Sequence, residues 1–204
     1  MLSHTVVEIH GRDRLTGVTI AQVDENRKPI EATKEYIPCD TLLLSVGLIP
    51  ENELTQSAGI NLNPVTGGAE VDQDRQTEIE GVFSCGNVLH VHDLVDFVSE
   101  EAEIAGKAAA EYIKNPQKAD ASIQIKTDGK IRYTVPQKIT KQKDVCVYFR
   151  VANVYKNAKI NVKKNSEIVM SKKKVKLAPG EMESIIIKKD LLSGAQVLEF
   201  SLEV

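Results

Sequence analysis

Thr77-Glu78-Ile79-Glu80-Gly81-Val82-Phe83-Ser84-Cys85-Gly86-Asn87 is the stretch on which the reading of the whole chain turns. Residues 81–84 make a short apolar run closed by Cys85-Gly86-Asn87, which reads as a buried strand ending in a turn. The one long helical pattern follows. Between residues 94 and 113, Val95, Val98, Ala102, Ala105, Ala109 and Ile113 recur at spacings of three and four and give one apolar stripe. Strand, turn and helix in this order form a unit with a chemical use. Gly86, lacking a Cβ, lets a ligand approach the backbone, and Asn87 offers a donor and an acceptor suited to a polyol. The helix start near Leu94 and Val95 presents free N–H groups and the positive end of the helix dipole. In an open α/β sheet, ligands collect at the carboxyl ends of strands, where this unit points.

Upstream, residues 5–9 and 15–23 favour strands around the turn Gly11-Arg12-Asp13, which is a hairpin signal. Thr41-Leu42-Leu43-Leu44-Ser45-Val46-Gly47 is too short for a free helix and reads as a strand buried on both faces of a parallel sheet. Pro50 opens a short helix over residues 51–57, and Asn63-Pro64-Val65-Thr66-Gly67-Gly68 is turn chemistry before an extended restart at Val71-Asp72.

Downstream, the helix stops at Asn115-Pro116-Gln117 and the composition changes, so a domain boundary falls near residue 118. Residues 123–126 and 130–135, around Asp128-Gly129, give a second hairpin signal. Further strands are predicted at residues 145–151, 158–162, 168–170, 175–177, 184–187 and 197–202. About eight short strands without a helix imply a small β-sandwich of immunoglobulin-like kind, or a barrel.

With 204 residues, 42% of them hydrophobic, the chain can bury a core. No run approaches the roughly 20 apolar residues needed to cross a membrane, and the first residues lack a secretory leader, so a cytoplasmic protein is expected. Cys39, Cys85 and Cys146 are too widely spaced for a dithiol or a Cys-x-x-Cys metal pair. Net charge is -3, but residues 1–119 hold 9 Lys+Arg against 20 Asp+Glu (-11) and residues 120–204 hold 17 against 9 (+8). In the basic part, lysines alternate with β-branched residues, as in Lys172-Lys173-Lys174-Val175-Lys176. That is a solvated strand face rather than a nucleic-acid surface. Attraction between the two parts, or to an acidic partner, follows from the signs.

Residues 39–50, Val71-Asp72, residues 77–87 and the helix after them resemble the carboxy-terminal half of the pyridine nucleotide-disulfide oxidoreductase family, the thioredoxin-reductase-like branch most of all. The resemblance implies an α/β fold, a strand-rich partial two-dinucleotide-binding-domain flavoprotein, followed by the all-β sandwich-like domain. Residues 1–47 correspond to the end of the NAD(P)-binding domain, 48–118 to the returning part of the FAD-binding domain, and 119–204 to the basic all-β domain. In that family the acid closing the Gly-Val-Phe-x-x-Gly-Asp segment meets the ribityl chain of FAD, and the next helix start donates backbone N–H groups to the flavin pyrimidine edge. The resemblance therefore assigns cofactor contacts to Gly86, Asn87, Leu94 and Val95. Asn87 stands where the family has Asp, which keeps hydrogen bonding and removes a charge.

Neither Gly-x-Gly-x-x-Gly loop, for FAD or for NAD(P)H, occurs in the sequence. The expectation is a fragment of an FAD-dependent NAD(P)H oxidoreductase, inactive alone and binding FAD weakly or not at all, whose partner is the missing FAD/NAD half or another oxidoreductase subunit. The alternatives are a non-enzymatic interaction module built on a flavoprotein remnant, and one half of a split flavoenzyme. An apolar edge left by a cut sheet would favour homo-oligomers. His92, beside the flavin end, is the candidate proton donor or substrate contact. His90 and His92 offer only two metal ligands, so no metal is expected. Cys85 reads as packing, and Glu100-Glu101-Ala102-Glu103 as the exposed acidic start of a helix.

Overall fold

The computed structural model describes residues 1–45, 47–116 and 122–204. The chain divides into two compact units, Met1–Gly47 and Leu48–Val204.

In the first unit, β1 (His4–His10), β2 (Gly17–Gln22) and β3 (Glu35–Pro38) form an antiparallel sheet in chain order, with the expected hairpin between β1 and β2. Val18, Ile20 and Ala21 of β2, the central strand, are buried. The strand expected over residues 41–47 is not formed at residues 41–45, where Leu43 and Leu44 are 90% and 68% exposed. An extended segment apolar on both faces needs hydrogen-bonded neighbours at both edges, and none lies beside it among the described residues; Val46 is outside them.

The second unit opens with α1 (Glu53–Ser57) and carries the long helix α2 (Val95–Lys114), close to its predicted ends. The covered face of α2 runs through Val98, Glu101, Ala105, Ala108 and Tyr112. Val95, Ala102 and Ile113 of the predicted stripe face solvent instead. Residues 81–84 are not a strand: a single bridge between Gln76 and Phe83 is their only ladder contact among the described residues.

Eight strands follow: β4 (Ile123–Thr127), β5 (Ile131–Val135), β6 (Lys138–Ile139), β7 (Val145–Val151), β8 (Tyr155–Lys164), β9 (Glu167–Leu177), β10 (Glu183–Ile187) and β11 (Val197–Glu203), with a four-residue helix α3 (Lys189–Leu192) before the last. They form two sheets, β10-β7-β5 and β6-β4-β11-β8-β9. β4 and β5 are not a hairpin. The Asp128 carboxylate accepts the N–H groups of Lys130 and Ile131 and, through its other oxygen, that of Leu202, so the chain crosses from one sheet to the other. The two segments predicted at 168–170 and 175–177 are one strand, β9, the outermost of its sheet, with Lys172, Lys173 and Lys176 exposed. Phe149, Val147 and Ile185 of one sheet share a core with Ile160, Val162, Leu198 and Phe200 of the other.

The boundary expected near residue 118 falls at residues 117–121, outside those described, and the segments on its two sides lie in one unit. Ile60, Ala69, Val71 and Leu89 form a second core with Tyr133 and Val135 of β5. Val71 and Gln137 exchange hydrogen bonds at 2.8 and 3.1 Å, and the Thr140 N–H donates to the Gln73 side chain at 2.7 Å. The charge asymmetry of the sequence is expressed at this junction: Lys141 and Lys143 pair with Asp74, and Arg150 with Asp93. Among the described residues no helix is long and apolar enough to cross a membrane.

Candidate functional site

A buried carboxylate organises the region after residue 71. The turn at residues 72–76 is closed by Asp72, whose Oδ1 accepts the N–H groups of Asp74 (2.8 Å) and Gln76 (3.1 Å). It places Arg75 at φ 66°, a left-handed conformation uncommon for a side-chain-bearing residue, and Arg75 runs inward to 1% exposure. Its Nε donates to Oε1 of Glu101 at 2.8 Å, and Glu101, on α2, has no exposed surface. Gly86 N–H donates to Oε2 at 2.9 Å, His92 Nε2 meets Oε2 at 2.9 Å, and His90 Nε2 meets Oε1 at 3.2 Å.

Four donors on two oxygens fill the roughly four lone-pair sites of an ionised carboxylate. Burial alone raises the Glu101 carboxyl, but the hydrogen bonds from His90 and His92 and the Arg75 charge outweigh it and hold it far below the usual range. An ionised carboxylate only accepts, so both imidazoles carry their proton on Nε2. Nδ1 of each is then a bare acceptor, and neither has a partner among the described residues. Burial lowers the His90 pKa, against the opposing pull of Glu101, so His90 stays neutral. The expected exposed acidic start of the helix is thus wrong for Glu101: position 101 falls on the covered face between Val98 and Ala105.

Gly86 and His92 are both engaged with Glu101. The His92 imidazole has no exposed surface and faces Glu101, so it is a tie of the loop to α2 rather than a group presented to a ligand. Gly86 sits at φ +76°, which favours glycine on conformational grounds, and a Cβ there would meet only a Val98 methyl at 3.6 Å. Asn87 Oδ1 accepts the His92 N–H at 3.1 Å, and its Nδ2 has no partner among the described residues. Leu94, the N-cap residue of α2, provides no side-chain cap, and Leu94 and Val95 are 56% and 74% exposed, so the first N–H groups of a 20-residue helix lie at an open end. The loop is further held by Asn52, whose Nδ2 donates to Gly67 O (2.8 Å) and Val88 O (2.7 Å). Cys85 stays a thiol, its pKa raised by burial and then by the Glu101 charge.

His90, His92 and Glu101 offer ligand atoms within 4.8 Å of one another, a possible metal triad that the sequence counted as two ligands. Its surroundings do not suit a cation. The Arg75 charge already occupies the carboxylate, and ligating histidines donate their other ring N–H to an acceptor, which both Nδ1 atoms lack among the described residues.

Residues 1–111 match the model of a family described as pyridine nucleotide-disulphide oxidoreductase. The chain belongs to this family. Pyridine nucleotide-disulphide oxidoreductases generally use FAD and NAD(P)H. The chain is also 28% identical over 85 residues to a protein named probable ferredoxin reductase CtmF, from Castellaniella defragrans, a match covering 40% of this chain and 20% of that protein. The chain thus spans about a fifth of this curated relative. In this pyridine nucleotide-disulphide oxidoreductase chain, Leu94 and Val95 stand exposed at the start of α2 and Asn87 is tied to the His92 N–H two residues before it, whereas the Gly86 N–H is bonded to Glu101. Glu101, Arg75, Asn52 and Arg150 were not singled out from the sequence. Only Glu101 had a signal there, a charge in phase with the apolar face of a helix.

Proposed function

We propose that this chain supplies the carboxy-terminal, flavin-facing part of an FAD-dependent NAD(P)H oxidoreductase of the thioredoxin-reductase-like branch. The observation that carries the reading is the exposed start of α2, without a side-chain cap, at the end of the loop that follows the Gly86-Asn87 turn, inside the region matched to the family. The residues suit such a cofactor: Asn87 Oδ1 holds the loop through the His92 N–H, which leaves Nδ2 as the donor that would hold the ribityl chain, and the N–H groups at Leu94 and Val95 would serve the flavin ring. The chemistry that bound FAD would supply is hydride acceptance from NAD(P)H and electron donation to a separate acceptor, in keeping with a relative named for ferredoxin. The chain's own part is to orient the ring and to stabilise negative charge on its pyrimidine edge through the helix start. With Asn for Asp at 87, the ribityl contact is neutral.

Tight binding would draw on the glycine-rich loops of the family, whether on the same or another polypeptide, and the β-domain is the docking surface for the electron-accepting subunit. A second reading is an interaction module that has kept the fold and not the chemistry. Co-expression with a polypeptide that carries both glycine-rich loops, followed by an absorbance spectrum of the purified complex, separates the two. Stoichiometric bound flavin in the complex and little in the chain alone is expected. A flavin-free complex would overturn the proposal in favour of the module.

A further inference from the structure

We propose that Arg150 is a positioning residue, through which the β-domain fixes the loop that ends at the start of α2. The role in flavin binding rests on the function proposed above. Arg150 lies near the end of β7 with its side chain 14% exposed. Its guanidinium is gripped from within the β-domain, Nε donating to Tyr133 Oη at 3.2 Å and Nη1 to Pro179 O at 3.3 Å. The remaining nitrogen is spent on the loop: Nη2 donates to Val91 O at 2.9 Å and to Asp93 Oδ1 at 2.5 Å. The second Asp93 oxygen accepts the Met182 N–H at 2.6 Å.

The loop alternates. His90 and His92 face Glu101 on α2, while the Val91 carbonyl and the Asp93 carboxylate face Arg150. Asp93 immediately precedes Leu94, the N-cap residue of α2. The segment is therefore pinned on opposite sides by one buried anion and one planar cation. A guanidinium bonding four groups from a fixed plane is not replaceable by an ammonium on a flexible stem.

Arg150→Lys and Asp93→Asn in the full chain test this by amide hydrogen exchange. Asp93→Asn leaves the β-domain side of the contact intact should Arg150→Lys fold poorly. Exchange at residues 91–96 should quicken about tenfold or more in each variant, with β8 amides unchanged and the double variant no faster than the singles. Unchanged exchange at 91–96, or equal acceleration in β8, overturns the positioning role. In the flavin complex, both variants should weaken FAD binding by about tenfold while leaving the β8 amides protected. A loosened loop with unaltered FAD affinity also overturns it, and leaves the flavin reading standing. A flavin-free complex of the unsubstituted chain overturns the flavin reading, while the exchange result still decides whether Arg150 holds the loop.

Discussion

Arg75 and Glu101, 26 positions apart, meet at 2.8 Å with their side chains 1% and 0% exposed. The pair joins the turn at residues 72–76 to the middle of α2, and the same carboxylate collects the Gly86 N–H and both loop histidines.

Removing one member leaves the other charge buried without its partner. Glu101→Gln and Arg75→Met should each cost about 3–5 kcal/mol of unfolding free energy. The double variant should cost clearly less than the sum, because each substitution removes the same contact. Urea unfolding of the four proteins checks this, and additive losses would mean the two residues act independently.

Acid should destabilise the unit in two stages. Folding lowers the His90 pKa from its ordinary 6.5, so below that value the unfolded chain takes up a proton that the fold resists. Folding also lowers the Glu101 pKa from its ordinary 4.5, and the stability it gives above that value is lost as pH falls further. Both act in one direction. Tm should decline from about pH 7 downward and more steeply below about pH 4.5, and His90→Asn should flatten the first part only. A Tm rising between about pH 7 and pH 5 in the unsubstituted chain contradicts the assignment.

Two glycines should fail for different reasons. Gly68→Ala would bring its Cβ to 1.9 Å from the Leu89 carbonyl oxygen and should be severely destabilising, because backbone must move. Gly86→Ala meets no such obstacle and should cost about 1–2 kcal/mol for its left-handed backbone. Comparing the two by denaturation tests the distinction, and equal losses would show that Gly86 is also sterically confined.

Zinc should leave the chain unmoved. The Arg75 charge and the filled lone pairs of Glu101 predict no rise in Tm on adding Zn²⁺ at about 1 mM. A rise that grows with concentration and disappears in His92→Ala would show that the triad binds metal after all.

Much of the architecture was legible where the pattern was local. β7 was read to the residue, and α2 within a residue at each end, since each depends on its own periodicity. What could not be read depended on partners far along the chain. Nothing in Asp128-Gly129 tells a hairpin from a crossover between sheets; the choice is made by β11, more than sixty residues later. The apolar run at 41–45 was read as buried because its composition demands cover, and cover is a property of neighbours. Of the candidate site, Leu94 and Val95 stand exposed at the start of α2, and Asn87 holds the loop before it through the His92 N–H. His92 looked reactive in isolation and is instead consumed by a carboxylate whose burial came from helix phase.

The outer edge of the eleven-residue β9 pairs with no strand among the described residues, and the ammonium groups of Lys172, Lys173 and Lys176 stand along it. A second molecule approaching rim to rim would bring like charges into register, so strand addition between copies is opposed electrostatically. Acetylation of those lysines, or high salt, would lift that guard and leave Val175 and Ile168 as the seed of an intermolecular sheet.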